Sequence, residues 1–447
     1  MPSLSDAALR QLTDRLKHAQ DAFAAHYPGE SGTRQPVHTV YGGAHLFKFD
    51  TTRKLGDLGL KALEQYAPEP RVFAEALGLP AGLADTVHPR VRTKLEREPV
   101  EDFRIDFEDG YGIRPDVEED GHARAAGEEC AKGLSEGTLP PFIGIRIKTF
   151  SPELGGRALR TLDLFLTALM ERAAKLPPGF VITLPKVSSP EQVSVLIDAC
   201  EELERKLGLR GGALKMEPMI ETTQSILDAN GESTLPKLLS AARGRCVAAH
   251  FGTYDYTASC DITAMYQSMR HPACDFAKHM MKVAYAGTGI WLSDGATTIM
   301  PIAPHKAAKG TQLSPDQMRE NQRAVHAAWR LHADDVRHSL VNGFYQGWDL
   351  HPAQLPSRYG AVYGFFLQGL RAASERLKNF VAKAAQATLV GDVFDDAATG
   401  QGLLNFFLRG VHCGALTEDE ALAAGVTLDE LRSRSFLKIL ENRRRQQ

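Results

Sequence analysis

Eight short runs of β-branched and apolar residues set the frame within which this chain can fold. They lie at 37–41, 103–107, 142–147, 180–184, 214–220, 246–251, 289–292 and 344–348. From the second to the seventh they recur roughly every 30–45 residues, the length of one strand plus its return helix in a parallel sheet. Between them, stretches such as 162–174 and 190–207 carry apolar residues at helical spacing. Eight strands alternating with helices predict an α/β chain whose central part, 37–356, is a (β/α)8 TIM barrel. An open doubly wound sheet is the rival, but no glycine-rich fingerprint follows any of the runs. The wide gap between the first two runs predicts a helical insertion around 60–98. A helical segment, 1–36, precedes the barrel, and an all-helical extension, 357–447, follows it.

Composition narrows the function classes. With 43% hydrophobic and 24% charged residues in 447, the chain is neither disordered nor fibrous. Lysine and arginine number 52 against 55 acidic residues, a net charge of −3, so the basic surplus that grips a phosphate backbone is missing and nucleic acid is not an expected partner. The basic cluster Arg443-Arg444-Arg445 reads as a solvated helix end. No apolar run approaches the roughly 18–20 residues that span a bilayer, so no membrane association is expected. The first 27 residues read as an amphipathic helix, not a signal peptide. Six cysteines without a C-x-x-C spacing read as reduced thiols. These features predict a cytoplasmic protein.

A barrel carries its chemistry at the C-terminal ends of its strands. Those ends hold Asp106-Phe107-Glu108-Asp109-Gly110 after strand two, Arg146 on strand three and Leu184-Pro185-Lys186-Val187 after strand four. Glu221-Thr222, Gly252-Thr253-Tyr254-Asp255, Ser293-Asp294-Gly295 and Asp349-Leu350-His351-Pro352 follow strands five to eight. Clustered carboxylates repel unless a cation answers them. Oxygen ligands suit a hard divalent cation such as Mg2+, with Mn2+ a possible substitute, better than zinc or iron. Arg146 has the forked donors to hold a carboxylate. Lys186 sits among carboxylates that raise its pKa, so a Schiff base is not expected there. Glu217 lies one layer below Glu221, and Asp106 and His351 are read as holding the fold. Gly42-Gly43 either admit a substrate carboxylate against the backbone or make a turn. Asp294 is a further candidate substrate contact.

The order of these segments resembles the citrate lyase β-subunit and HpcH/HpaI 2-oxo-acid aldolase superfamily, which includes malyl-CoA lyases and is distantly related to malate synthase. The matching words are Ile105-Asp106-Phe107-Glu108-Asp109, Gly144-Ile145-Arg146-Ile147, Leu184-Pro185-Lys186-Val187, Met219-Ile220-Glu221-Thr222, Phe251-Gly252-Thr253-Tyr254-Asp255 and Leu350-His351-Pro352-Ala353-Gln354, with Ala123-Arg124 behind the acidic loop. The resemblance spans about 37–354. It implies a Mg2+-dependent carbon–carbon lyase acting through an enolate on a small 2-oxo acid or an acyl thioester. It places the metal on Glu221 and Asp255 and the substrate-side pair on Glu108 and Asp109, with Asp109 where related aldolases carry a histidine acid/base. Alternatives are malate-synthase-like or phosphoenolpyruvate-handling chemistry on the same barrel, or a non-catalytic binding protein.

The tail carries one more expectation. Phe365, Phe366, Leu370, Ala373, Leu377 and Val381 form a broad apolar stripe over 361–389, and Thr427 with Glu430 has capping-box spacing for a later helix. The stripe predicts packing across a subunit boundary in a homo-oligomer, closing a barrel mouth.

Overall fold

The computed structural model describes residues 3–29, 32–308, 310–382, 388–390, 393–395, 397–433 and 439, with backbone alone between 381 and 398 and at 432–433. Eight parallel strands close into a barrel in sequence order: β1 (His38–Gly43), β2 (Asp102–Asp106), β3 (Phe142–Arg146), β4 (Val181–Leu184), β5 (Lys215–Ile220), β6 (Ala248–Phe251), β7 (Trp291–Ala296) and β8 (Gln346–Asp349). Closure is made by β1 pairing with β8, where Thr39 sits beside Trp348. The (β/α)8 expectation holds, each run yielding one strand.

Helices follow the strands in the order the hydrophobic spacing predicts. Before the barrel lies α1 (Asp6–His26), whose N-cap Ser5 accepts a hydrogen bond from the Ala8 amide and which buries none of its side chains. Between β1 and β2 come α2 (Thr51–Tyr66), α3 (Pro70–Leu77) and α4 (Ala84–Arg97), the inserted helical excursion. The return helices are α5 (Asp116–Glu136), α6 (Gly155–Ala173), α7 (Pro190–Lys206), the short α8 (Thr223–Ile226) with α9 (Leu235–Ala241), α10 (Thr253–Ser259) with α11 (Pro272–Tyr285), and α12 (Pro315–Val341). Ser189 and Ser314 close reciprocal capping boxes at the starts of α7 and α12. The extension holds α13 (Leu355–Ala382), α14 (Ala397–His412), α15 (Glu418–Ala423) and α16 (Leu428–Ser433). Thr427 and Glu430 exchange the two hydrogen bonds expected of the box at the last of these. The Arg443–Arg445 cluster lies outside the described residues. Among the described residues no helix is long and apolar enough to cross a membrane, and all six cysteines are free thiols.

One expectation about the extension is corrected. The extension is not all-helical: β9 (Thr388–Val390) and β10 (Val393–Asp395) pair antiparallel. Three-residue strands are too short for a period of two to register in the sequence. The stripe on α13 is covered in part by the chain's own helices, while Phe365 and Leu370 stay half-exposed. Phe366, Ala373 and Leu377 are buried, and α13 packs on α4, α12 and α14. The Val381 side chain lies outside the described residues. Arg90 on α4 ties the far end down, donating to the Ala415 carbonyl and, at 2.8 Å, to Glu420.

Candidate active site

The acidic loop after β2 is folded by its first carboxylate. Asp106 accepts hydrogen bonds from the backbone N–H groups of Glu108 (2.9 Å) and Gly110 (2.7 Å). It also receives Arg146 in fork geometry, Nε at 2.7 Å and Nη2 at 2.6 Å. One buried side chain thus shapes the loop and orients the guanidinium, and charge-assisted bidentate pairs of this kind are the strong ones. The Arg146 Nη1 stands 3.2 Å from Glu108 Oε2 and 3.8 Å from Asp109. The guanidinium lies over the Tyr41 ring, 4.7 Å from its centroid, with Trp348 at 6.0 Å. Surrounding carboxylates keep it protonated despite its burial.

Lys186 gathers the rest. Its backbone sits in the left-handed region at φ +51°, a conformation that costs a side-chain-bearing residue on the order of 1 kcal/mol or more. That turn aims the Lys186 N–H at Glu221 Oε1, 2.7 Å away. The ammonium donates to Glu108 and Asp109, the latter at 3.3 Å, and lies 3.6 Å from Asp255. Burial works against its charge, but Glu221 and Glu108 hold the pKa above the ordinary lysine value.

Glu221 is 1% exposed, and among the described residues no donor reaches its Oε2. Burial first, and the neighbouring Asp255 charge second, push its carboxyl up to about 8. Gly252 makes room for it, since a Cβ there would meet Glu221 Oε2 at 2.2 Å. Glu108 is likewise pushed up to about 7, chiefly by burial. Burial opposes ionisation of Asp109 too, but Glu108, Lys186 and Arg146 outweigh it and hold that carboxyl below its ordinary value. Five carboxylates (Asp106, Glu108, Asp109, Glu221, Asp255) therefore meet two cations. A nearly buried carboxylate with one unpartnered oxygen beside a second carboxylate fits a hard divalent cation.

The structure brings Glu108, Asp109, Arg146, Lys186, Glu221 and Asp255 together. Asp294 is not among them. The expected strand seven stopped at 292, but β7 continues to Ala296, so Asp294 is an interior strand residue. It accepts from Lys278 Nζ on α11 (3.0 Å) and Ser339 Oγ on α12 (2.7 Å), pinning the outer helices. Gly42 and Gly43 are likewise within β1 and make no turn. A Cβ on Gly42 would strike the Phe103 ring at 2.6 Å, and one on Gly43 the Gly110 carbonyl at 2.4 Å. The His351 Nδ1 accepts from the Ala353 N–H and so holds the turn after β8. Glu217 pairs with Arg104 (2.8 Å) and His250 (3.1 Å) one layer below the mouth.

Sequence reading missed the aromatic floor. Tyr41 and Trp348 are adjacent through barrel closure, ring centroids 4.6 Å apart, and the Tyr41 hydroxyl lies 3.3 Å from His250 Nδ1. The signal was present, an aromatic in both the first and the eighth run, but only closure makes those runs neighbours.

A closed (β/α)8 barrel with an acidic, arginine-bearing mouth is the class this fold and site define. The chain belongs to the family described as "Domain of unknown function (DUF6986)", whose model matches residues 16–439. No curated protein matches the chain. Among solved structures it is similar to a citrate lyase from Burkholderia xenovorans LB400, at 18% identity over 88% of this chain and 97% of that one, with a TM-score of 0.54. Haloferax volcanii malate synthase in its magnesium/glyoxylate complex matches at 16% identity over 90% and 97%, TM-score 0.43. An HpcH/HpaI aldolase/citrate lyase family protein from Burkholderia cenocepacia J2315 matches at 11% over 77% and 95%, TM-score 0.39. The citrate lyase likeness agrees, at the level of fold, with the family resemblance carried by the motifs.

Proposed function

We propose that the chain is a divalent-cation-dependent carbon–carbon lyase or condensing enzyme that works through an enolate on a small 2-oxo acid or an acyl thioester. The observation that carries this reading is Glu221: buried, lacking a donor at Oε2, and set beside Asp255 across the mouth from a bidentately anchored arginine. Glu221 and Asp255 would hold Mg2+ or Mn2+, whose chemistry would be to polarise an oxygen of the substrate. Arg146 keeps donors beyond those used by Asp106, and it binds the substrate carboxylate and meets the enolate charge as the C–C bond breaks. Its orientation is set before substrate arrives, so no reorganisation falls in the reaction itself. Glu108, with a carboxyl near neutrality, takes the proton from a β-hydroxyl and returns it to the enolate carbon. Lys186 holds Glu108 and Asp109 in place between turnovers.

The test is a Mn2+ titration of the full chain followed by a screen of 4-hydroxy-2-oxo acids and malyl thioesters. One tight Mn2+ site lost in Glu221→Gln, together with cation-dependent release of pyruvate or an acetyl thioester, is expected. Cation binding unaffected by Glu221→Gln, or turnover unchanged in the presence of chelator, would overturn the reading.

A further inference from the structure

A cavity of about 700 Å3, apart from the acidic mouth, opens between α2 and residues 301–307 and 313 of the connection that follows β7. None of the mouth carboxylates lines it, yet it begins at His351-Pro352, directly beyond β8. Its walls include Leu58, Tyr66, Ile302 and Leu313, and its rim carries Lys61 and Lys306. Leu58 is 50% and Ile302 53% exposed, so large apolar surface faces water on both sides of the cleft. The walls are held from behind. The Tyr66 carbonyl lies 2.7 Å from His326 Nε2 and accepts from Gln322, while Asn321 of α12 bonds both the N–H (2.8 Å) and the carbonyl (2.9 Å) of His305. No acidic side chain lines the cleft among the described residues, and Glu320 just outside it is engaged by His305. Neither Lys61 nor Lys306 forms an ion pair among the described residues.

We propose that this cleft is a binding site for a small amphiphilic anion, one with an apolar body and a carboxylate, sulfonate or phosphate head. The apolar walls favour an apolar body that they can shield from water, and the two ammonium groups select the sign of the head. A neutral body of the same shape loses the second contribution, and a cation is repelled. The inference stands apart from the proposed reaction, because it uses no residue of the mouth.

The experiment titrates the full chain with 8-anilinonaphthalene-1-sulfonate, followed by fluorescence. N-phenyl-1-naphthylamine, the same apolar body without the sulfonate, is the second probe. Wild type is expected to bind the sulfonate saturably and the neutral probe at least fivefold more weakly. The double variant Lys61→Gln/Lys306→Gln weakens the sulfonate at least fivefold and leaves the neutral probe unchanged, with the far-ultraviolet circular dichroism of wild type. Ile302→Ser weakens both probes. No saturable enhancement in wild type, or a double variant that binds the sulfonate as tightly as wild type, overturns the proposal.

Discussion

Glu221 is the residue at which stability and function pull in opposite directions. Its folded carboxyl titrates at about 8, above the ordinary 4.5, so the folded state binds the proton more tightly than the unfolded chain. A raised carboxyl pKa makes stability fall as pH climbs from about 4.5 to 8, where the buried charge forms. In chelator, Glu221→Gln should therefore stabilise the protein at pH 9 relative to pH 5, by up to about 4 kcal/mol. Thermal melts at the two pH values check this, and a shift independent of pH would remove the burial argument. Arg146 gives the complementary case. Lysine in its place cannot keep the Asp106 fork and also serve a substrate. Arg146→Lys should lower turnover on the substrate found by the screen about a hundredfold or more, while Mn2+ affinity changes little. A near wild-type rate would make the arginine purely structural. Sequence alone singled out both residues, because strand-end position and charge are visible in one dimension. The φ of Lys186 and the aromatic floor were not, since a turn's handedness and barrel closure leave no mark at a single position.

Among the elements, α13 shows how an amphipathic pattern states that a face is buried without stating by what. Leu377 is fully buried and Phe366 nearly so, in contact with the chain's own helices. Leu377→Ala should cost about 2–4 kcal/mol, read as a lower denaturant midpoint, with the oligomeric state seen in sizing unchanged. A variant that dissociates a wild-type oligomer without loss of monomer stability would instead place the stripe at a subunit boundary. The stripe's period was legible at once. Its partners were not, because α4 and α14 approach from more than 250 residues and about 15 residues away in sequence respectively, and hydrophobic burial has no direction of its own. Strand ends behave likewise: a period of two in β7 could not say whether Asp294 belonged to the strand or to the loop beyond it.

For the whole molecule, closure of the barrel is bolted by Asp349. Its buried carboxylate lies 2.7 Å from His38 Nδ1 on β1 and 3.0 Å from His332 on α12, and it accepts Arg358 of α13 at 2.8 Å. Burial opposes its ionisation, but Arg358, His332 and His38 hold the carboxyl well below its ordinary value. A depressed carboxyl pKa adds stability that is fully present above about pH 4 and is lost as pH falls towards the folded value. Asp349→Asn should cost about 3 kcal/mol at pH 7, by leaving Arg358 buried without its anion, and should flatten the acid limb of stability below pH 4. Parallel acid melts of wild type and variant test this, and identical acid limbs would exclude the bolt.

By itself the sequence determined the barrel, its eight strands, the inserted and flanking helices, and six of the polar residues that meet at the mouth. Those follow from local periodicity and from the rule that loops after parallel strands converge on one face, so one-dimensional position suffices. Only tertiary structure decided which way each strand-end side chain points, which helices cover the α13 stripe, and that Tyr41 and Trp348 lie beneath Arg146. The reason is physical: a carboxylate's role depends on its partners and burial. For Asp106, Asp294 and Asp349 the partners Arg146, Ser339 and His38 lie on other elements, and His38 reaches Asp349 only when the sheet closes.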